Sequence, residues 1–443
     1  MSVLAFPDGF LWGAATSAYQ IEGSPLADGA GASIWHQFAH RAGNISNGEN
    51  ADLACDHYRR YREDVVLMKE LGLKAYRFSI SWPRVLPAGS GAINQKGMDF
   101  YRKLCDSLLD VDIVPVVTLY HWDLPQALED QGGWPSSETA ACYADYAEQT
   151  FRALGDRVSL WISFNEPWVF TYLGYALGIH APGRADTGAA LQAGHTVLRA
   201  HAMASQRLAT VCPRSDLGIT LSVQAVLPLS RNSADLAAAE RYGAFVNEWF
   251  IEPLTRGDYP QAMREQFGGL LPEITGTDRE LLRNPPDFIG LNYYTRCVVE
   301  DDPTGFFRSR VMRPTGHRTA MDWETYPAGL YHVLREFSRR YSLPLYVTEN
   351  GAGLENEQPD ERGFVTDDLR LRYLQSHFEM AHRAISEGVD LRGYMVWSLL
   401  DNFEWSFGYS KRFGIVRCDY TTLERIPKKS ARWYRRVIEE NGV

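Results

Sequence analysis

Asp52-Leu53-Ala54-Cys55-Asp56-His57-Tyr58, the residues on to Leu71-Gly72, and then Lys74-Ala75-Tyr76-Arg77-Phe78-Ser79-Ile80 form the stretch that decides the fold. Tyr58, Tyr61, Val65 and Met68 recur at spacings of 3, 4 and 3, the period of one helix face, and Gly72 ends the run. A helix is therefore predicted over 52–71. The apolar block over 74–80 is too short for a helix and reads as a buried strand. The same pair repeats at once. Asn94 caps a helix bearing Met98, Tyr101, Cys105 and Leu108 on one face, and 113–119 follows as a strand. Far downstream, Thr366 opens a helix with Leu371, Leu374, Phe378, Ala381 and Ile385 turned inward. Asp367 and Asp368 suit its positive end.

Strand-like runs collected along the whole chain fall at 11–15, 75–80, 113–119, 160–165, 217–222, 288–292, 345–349 and 393–397. Near-continuous apolar strands separated by helices imply a parallel sheet covered on both faces. Eight such units suggest a closed (β/α)8 TIM barrel, an α/β fold, with an open doubly wound sheet as the alternative. No Gly-x-Gly-x-x-Gly follows a strand, so the dinucleotide-binding version of the open sheet is excluded. No linker or repeat divides the sequence, and 1–443 is expected to form one catalytic domain with long βα loops around the mouth. The insertion over 300–323 reads as such a loop.

Net charge is -10, which disfavours nucleic acid and anionic membrane surfaces as partners. Six dispersed cysteines without a C-x-x-C pair fit a reducing compartment. The N-terminus lacks a signal-peptide pattern and no apolar run approaches a membrane span, so a soluble cytoplasmic protein is expected. No histidine pair has H-E-x-x-H spacing and no metal site is visible. Nothing in the sequence assigns an oligomeric state.

Barrel active sites gather where strands end at their C-terminal face. Here the runs end in Tyr120-His121-Trp122, Phe164-Asn165-Glu166-Pro167, Leu291-Asn292-Tyr293-Tyr294, Thr348-Glu349-Asn350-Gly351 and Trp397-Ser398-Leu399. One glutamate after a strand is ordinary loop chemistry. Two, at the ends of the fourth and seventh strands and beside amides and aromatics, point to a paired-carboxylate site. Such a pair hydrolyses glycosides, one carboxylate attacking the anomeric carbon and the other passing protons. Spacing does not say which glutamate does which.

The segment Phe6-Pro7-Asp8-Gly9-Phe10-Leu11-Trp12-Gly13-Ala14-Ala15-Thr16-Ser17-Ala18-Tyr19-Gln20-Ile21-Glu22-Gly23 resembles the N-terminal signature of family 1 of the glycoside hydrolases. Also similar to that family are Tyr76-Arg77-Phe78-Ser79-Ile80-Ser81-Trp82, Tyr120-His121-Trp122-Asp123-Leu124-Pro125, Asn165-Glu166-Pro167, Tyr346-Val347-Thr348-Glu349-Asn350-Gly351 and Asp401-Asn402-Phe403-Glu404-Trp405. With Pro427-Lys428-Lys429-Ser430 the likeness spans essentially the whole chain, and no catalytic position departs from it.

The resemblance implies a retaining exo-acting β-glycosidase, foremost a β-glucosidase cleaving terminal nonreducing β-D-glucosyl residues. β-Fucosides, β-galactosides and cellulose-derived oligosaccharides would also lie within reach, and no cofactor is implied. It makes Glu349 the nucleophile and Glu166 the acid/base, with Arg77, Asn292 and Tyr294 around them. It assigns Gln20, His121, Trp122, Asn165, Trp397, Glu404, Trp405 and Phe413 to the sugar, and Trp168, Leu173, His180 and Trp323 to the leaving group, with Val169 beside them. Arg77 would hold Glu349 ionised, whereas Glu166, facing an anion in a dry cleft, would be pushed toward its protonated form.

Four alternatives are weighed beside β-galactosidase. A non-catalytic sugar-binding relative would have lost a carboxylate, and a thioglucosidase of the plant type would carry Gln at position 166. A 6-phospho-β-glucosidase is disfavoured by Glu404-Trp405, since a carboxylate there would repel phosphate. β-Galactosidase stays the nearest competitor. A Ser hydrolase would need a Gly-x-Ser-x-Gly elbow, which is absent.

Overall fold

The computed structural model describes residues 3–313, 315–355 and 357–443. Its core is a ring of eight parallel strands: β1 (Leu11–Ala15), β2 (Ala75–Ser79), β3 (Val114–Tyr120), β4 (Leu160–Asn165), β5 (Asp216–Pro228), β6 (Ile289–Asp301), β7 (Leu345–Asn350) and β8 (Leu391–Trp397). Each strand pairs with the next in sequence, and β8 pairs back onto β1 with Trp397 opposite Ala15. The ring is closed, so the doubly wound alternative is excluded. Helices such as His57–Glu70, Gln95–Leu109 and Ser137–Leu154 cover the outside.

Alternation along each strand builds two apolar shells. Inward-facing Ala15, Ala75, Val116, Ile162, Phe288, Tyr346 and Met395 pack with Trp397 inside the ring. Outward-facing neighbours such as Trp12, Phe78, Val117 and Trp161 pack under the helices. Room inside is scarce: a Cβ on Gly13 would lie 2.3 Å from the Met395 sulfur and 2.5 Å from the Ala75 carbonyl oxygen. The chain ends meet beside β1, where the Leu4 N–H donates to the Val443 carbonyl at 2.7 Å and Trp12 Nε1 donates to Asn441 Oδ1 at 2.9 Å.

Several expected boundaries move. The first helix starts at His57 and not near 52, because Ala54 and Asp56 take left-handed backbone angles (φ 47 and 52) that no helix accommodates. The later helix begins at Asp368, and its Leu371 and Ile385 are only half buried. Asn94 does stand at a helix start, but its amide donates to the Arg84 carbonyl at 2.9 Å in place of capping.

The larger correction concerns β5 and β6, which run on to Pro228 and Asp301 and stay paired above the ring, Leu227 opposite Val298. Cys297 and Val299 there pack on Ala238 and Ala239. The segment over 300–323 is therefore not simply a loop, since it turns back as a strand, Ser309–Met312, antiparallel to β6. All six cysteines are free. Among the described residues no helix is long and apolar enough to cross a membrane.

Candidate active site

Pairing register brings Arg77, Asn165, Asn292 and Glu349 to one level at the top of the ring. Asn165 lies opposite Thr220 and Asn292 opposite Glu349. Bulges interrupt the ladder just before these residues, between Ile162 and Asn165, Leu291 and Asn292, and Val347 and Asn350. Such irregularities bend a strand end and re-aim its side chains.

The buried Arg77 is the hub. Its Nη1 donates to Glu349 Oε1 at 2.6 Å and to the Thr348 carbonyl at 3.0 Å, while Nη2 donates to Asn165 Oδ1 at 2.6 Å. Tyr294 Oη donates to the other Glu349 oxygen at 2.6 Å. Asn292 Nδ2 donates to Glu166 Oε1 at 2.9 Å and to Asn165 Oδ1 at 3.0 Å, with its own carbonyl held by Thr348 Oγ1 at 2.8 Å. Arg77 and Asn292, which aim the two glutamates, are thus themselves anchored.

The two carboxyls differ in surroundings. Burial, and then the charge of Glu349, push Glu166 up to about 8. Burial also raises Glu349, but Arg77 and the Tyr294 hydroxyl both favour its ionised form. The first proton to leave the pair therefore leaves Glu349.

Above them opens a cavity of about 390 Å³. At its inner end lie His121, Trp122, Trp397, Glu404, Trp405 and Phe413; outward come Trp168, Val169, Leu173, His180 and Trp323. Trp122, Glu166 and Trp405 hold positive φ angles of 78, 50 and 48. Backbone of this kind costs about 1–3 kcal/mol per residue and persists only where neighbours enforce it. Trp122 is enforced by its Nε1 bond to the Asn165 carbonyl at 2.9 Å and by the Trp405 ring at 4.4 Å. The loop bearing Trp405 is tied down by Asp401, which receives Lys428 Nζ at 2.8 Å, Arg412 Nη1 at 2.7 Å and the Gly414 N–H at 2.9 Å. Gly351, following the Glu349-Asn350 pair, leaves no room for a side chain: a Cβ would fall 1.8 Å from the Trp397 carbonyl oxygen.

The model of glycosyl hydrolase family 1 matches residues 3–443. The chain belongs to this family. It is 48% identical over 445 residues to beta-glucosidase A of Thermotoga maritima, covering 100% of both chains. It is 47% identical over 440 residues to a 1,4-beta-D-glucan glucohydrolase of Thermotoga neapolitana, covering 99% of each. The solved family 1 β-glucosidase from Thermotoga maritima superposes with a TM-score of 0.98 at 47% identity, covering 100% of both chains.

As a family 1 barrel the molecule gathers every predicted site residue at one mouth, though not all on its wall. Gln20, Arg77, Asn165 and Asn292 are fully buried behind the lining. Gln20 Nε2 donates to Asn402 Oδ1 at 3.0 Å and to the Phe403 carbonyl at 2.9 Å, so it braces the loop that carries Glu404. The sequence reading missed Ile179, Gln224, Thr295 and Phe407 on the wall. Gln224 and Thr295 sit on the upper parts of β5 and β6 beyond the expected strand ends. The alternation continuing through Val223-Gln224-Ala225 was the available signal.

Burial and the Glu349 charge push Glu404 up to about 8. The fixed negative charge invoked against a sugar phosphate is therefore weaker than expected. The nearby groups that could hold a phosphate are nevertheless engaged elsewhere: Lys411 pairs with Glu355, Arg412 with Asp401, and the Tyr409 hydroxyl donates to the Asn50 carbonyl at 2.8 Å.

Proposed function

We propose that this chain is a retaining exo-acting β-glucosidase that removes terminal nonreducing β-D-glucosyl residues, with β-fucosides and β-galactosides accepted more loosely. The observation that carries this reading is the unequal surroundings of Glu166 and Glu349 on one closed-ended cavity. In the first step Glu349 Oε attacks the anomeric carbon while Glu166 transfers its proton to the departing glycosidic oxygen, leaving a glycosyl ester and a free alcohol. Esterification removes the negative charge facing Glu166, so the carboxylate left by that transfer is no longer driven to regain a proton. Glu166 then takes a proton from water as that water attacks the anomeric carbon, and Glu349 leaves as carboxylate. One charge change switches Glu166 from acid to base.

The preference for glucosides rests on the names of the Thermotoga relatives and on the polar inner end built by His121, Glu404 and Trp405. Trp397 supplies a flat floor for the ring, and the outer aromatics receive the aglycone. The single-domain, cytoplasmic character read from the sequence belongs to the same proposal.

The test is azide rescue. Glu166→Ala should keep the first step for aryl glucosides with good leaving groups, and azide, which needs no base, should speed turnover and give the β-glycosyl azide. Rescue of Glu349→Ala with that β product instead would reverse the assignment. Comparing kcat/KM for aryl β-glucoside, β-galactoside and β-glucoside 6-phosphate tests the sugar; a lead for either of the last two sinks the glucosidase reading.

A further inference from the structure

About one helix away from the sugar pocket, the short helix Ile34–Ala39 and the segment at Asp52 bring three donor groups together that the reaction does not use. We propose that His36, His40 and Asp52 form a binding site for a late first-row divalent metal ion, with zinc as the reference ion. His36 Nδ1 lies 3.5 Å from Asp52 Oδ1, and His40 Nε2 lies 3.1 Å from Asp52 Oδ2. The three ligand atoms all fall within 4.8 Å of one another. Ligands at about 2.05 Å in a tetrahedron stand about 3.3 Å apart, so the donors need little movement to close on one ion.

The protonation pattern supports lone pairs at that point. His40 Nδ1 faces the His36 carbonyl at 2.7 Å, and a carbonyl can only accept, so Nδ1 carries the hydrogen and in the neutral ring Nε2 keeps the lone pair. A second hydrogen-bonded ring nitrogen of this kind is the usual means of orienting a metal-binding histidine. His36 Nδ1 is buried and lacks a hydrogen-bond partner. Two imidazole nitrogens and a carboxylate thus converge, with His40 Nε2 within hydrogen-bond distance of Asp52 Oδ2 at 3.1 Å. Either a cation fills that space or a second proton enters on His40 and makes an imidazolium–carboxylate pair. Imidazole donors favour zinc, nickel or copper over magnesium and calcium. Asp52 and His40 are half exposed, so water can complete the ion's coordination. Sequence inspection passed over this pair because their spacing lacks the glutamate of H-E-x-x-H, whereas the geometry needs only residues four apart on one helix face.

The site abuts the sugar pocket. Trp35, between the ligands' turn and the cavity, packs on Trp405 at 4.5 Å. Three residues before Asp52, Glu49 Oε2 accepts the Tyr409 N–H at 2.7 Å. A bound ion would therefore pin together two elements that both touch the 404–409 loop.

The experiment is titration calorimetry of zinc into the chelator-stripped full-length enzyme, paired with thermal unfolding with and without zinc. Expected are one saturable site, a zinc-dependent rise in Tm, and no saturable signal with magnesium. His40→Asn and His36→Asn should each weaken zinc by about tenfold or more and abolish the Tm rise. Glu349→Gln should bind zinc as the parent does. No saturable binding by the parent, or binding that survives both histidine substitutions, overturns the site and leaves the imidazolium–carboxylate pair.

Discussion

The two ends of the sugar cavity are built on opposite principles. At the inner end Arg77, Asn165, Asn292 and Thr348 are fully or almost fully buried and hydrogen-bonded to one another, so the two carboxyls have little freedom. At the outer end Ile179 is 54% exposed and Phe407 42% exposed, and the wall is mostly apolar. Covalent chemistry needs reacting atoms placed within a fraction of an ångström, whereas an apolar rim only has to exclude water and offer area. On the proposed mechanism, the comparison teaches that the reaction is fixed by the strand tips and leaving-group choice is left to the loops.

The sharpest way to break that contrast is at the proposed nucleophile. Glu349→Ala should cost on the order of 10⁵-fold or more in kcat for every β-glucoside, measured with an aryl glucoside, because no ester can form. A residual rate within a hundredfold of the parent would mean that the inner end is not where bond cleavage occurs. Asn292→Ala removes the amide that touches Glu166 and should lower kcat by about 10²–10³-fold, with KM changed far less. An equal effect on KM alone would demote Asn292 to ground-state binding.

The pH dependence refines the inner end further. Activity should fall as pH rises through about 8, where Glu166 loses its proton, and fall again on the acid side as Glu349 takes one up. Glu349→Gln removes the facing anion, so nuclear magnetic resonance titration should find Glu166 lower than in the parent. An unchanged value would leave burial as its sole cause. Glu166 also affects stability. Its carboxyl binds a proton more tightly in the folded protein than in the unfolded chain, so from about 4.5 up to about 8 the folded state holds more protons and stability declines as pH rises. Glu166→Gln should therefore raise Tm at pH 8 and leave it unchanged at pH 4, as read by calorimetry.

The smallest effects belong to the rim. Phe407→Ala should shift KM for aryl glucosides by at most about tenfold and leave kcat nearly intact. A hundredfold fall in kcat would erase the division between the two ends.

Much of this was legible beforehand, and the misses have identifiable physical causes. β1 and β4 were found with their observed limits because Leu11–Ala15 and Leu160–Asn165 are compact apolar blocks that run straight into Thr16 and into Asn165-Glu166. The two glutamates stood out because strand ends concentrate chemistry. β5 and β6 ran past the expected ends because, above the ring, the pair packs on Ala238 and Ala239 and is otherwise only partly covered, with buried and half-buried positions interleaved. Alternation of this kind lacks the density of a doubly covered strand. Gln224 and Thr295 were lost with those upper halves. The bracing role of Gln20 was invisible for a different reason: its partners Asn402 and Phe403 are almost four hundred residues away in the chain.

The pairing of β8 with β1 has a consequence for biosynthesis. Trp397, the floor of the pocket, acquires its neighbour Ala15 only by a contact that spans nearly the whole polypeptide. Contacts so distant in sequence form late, after the shorter loops have closed. A ribosome-bound chain lacking its last quarter would hold Glu166 but neither Glu349 nor a sealed ring. Such nascent chains should be inert toward glycosides, with activity appearing only after β7 and β8 have emerged and the seam has shut.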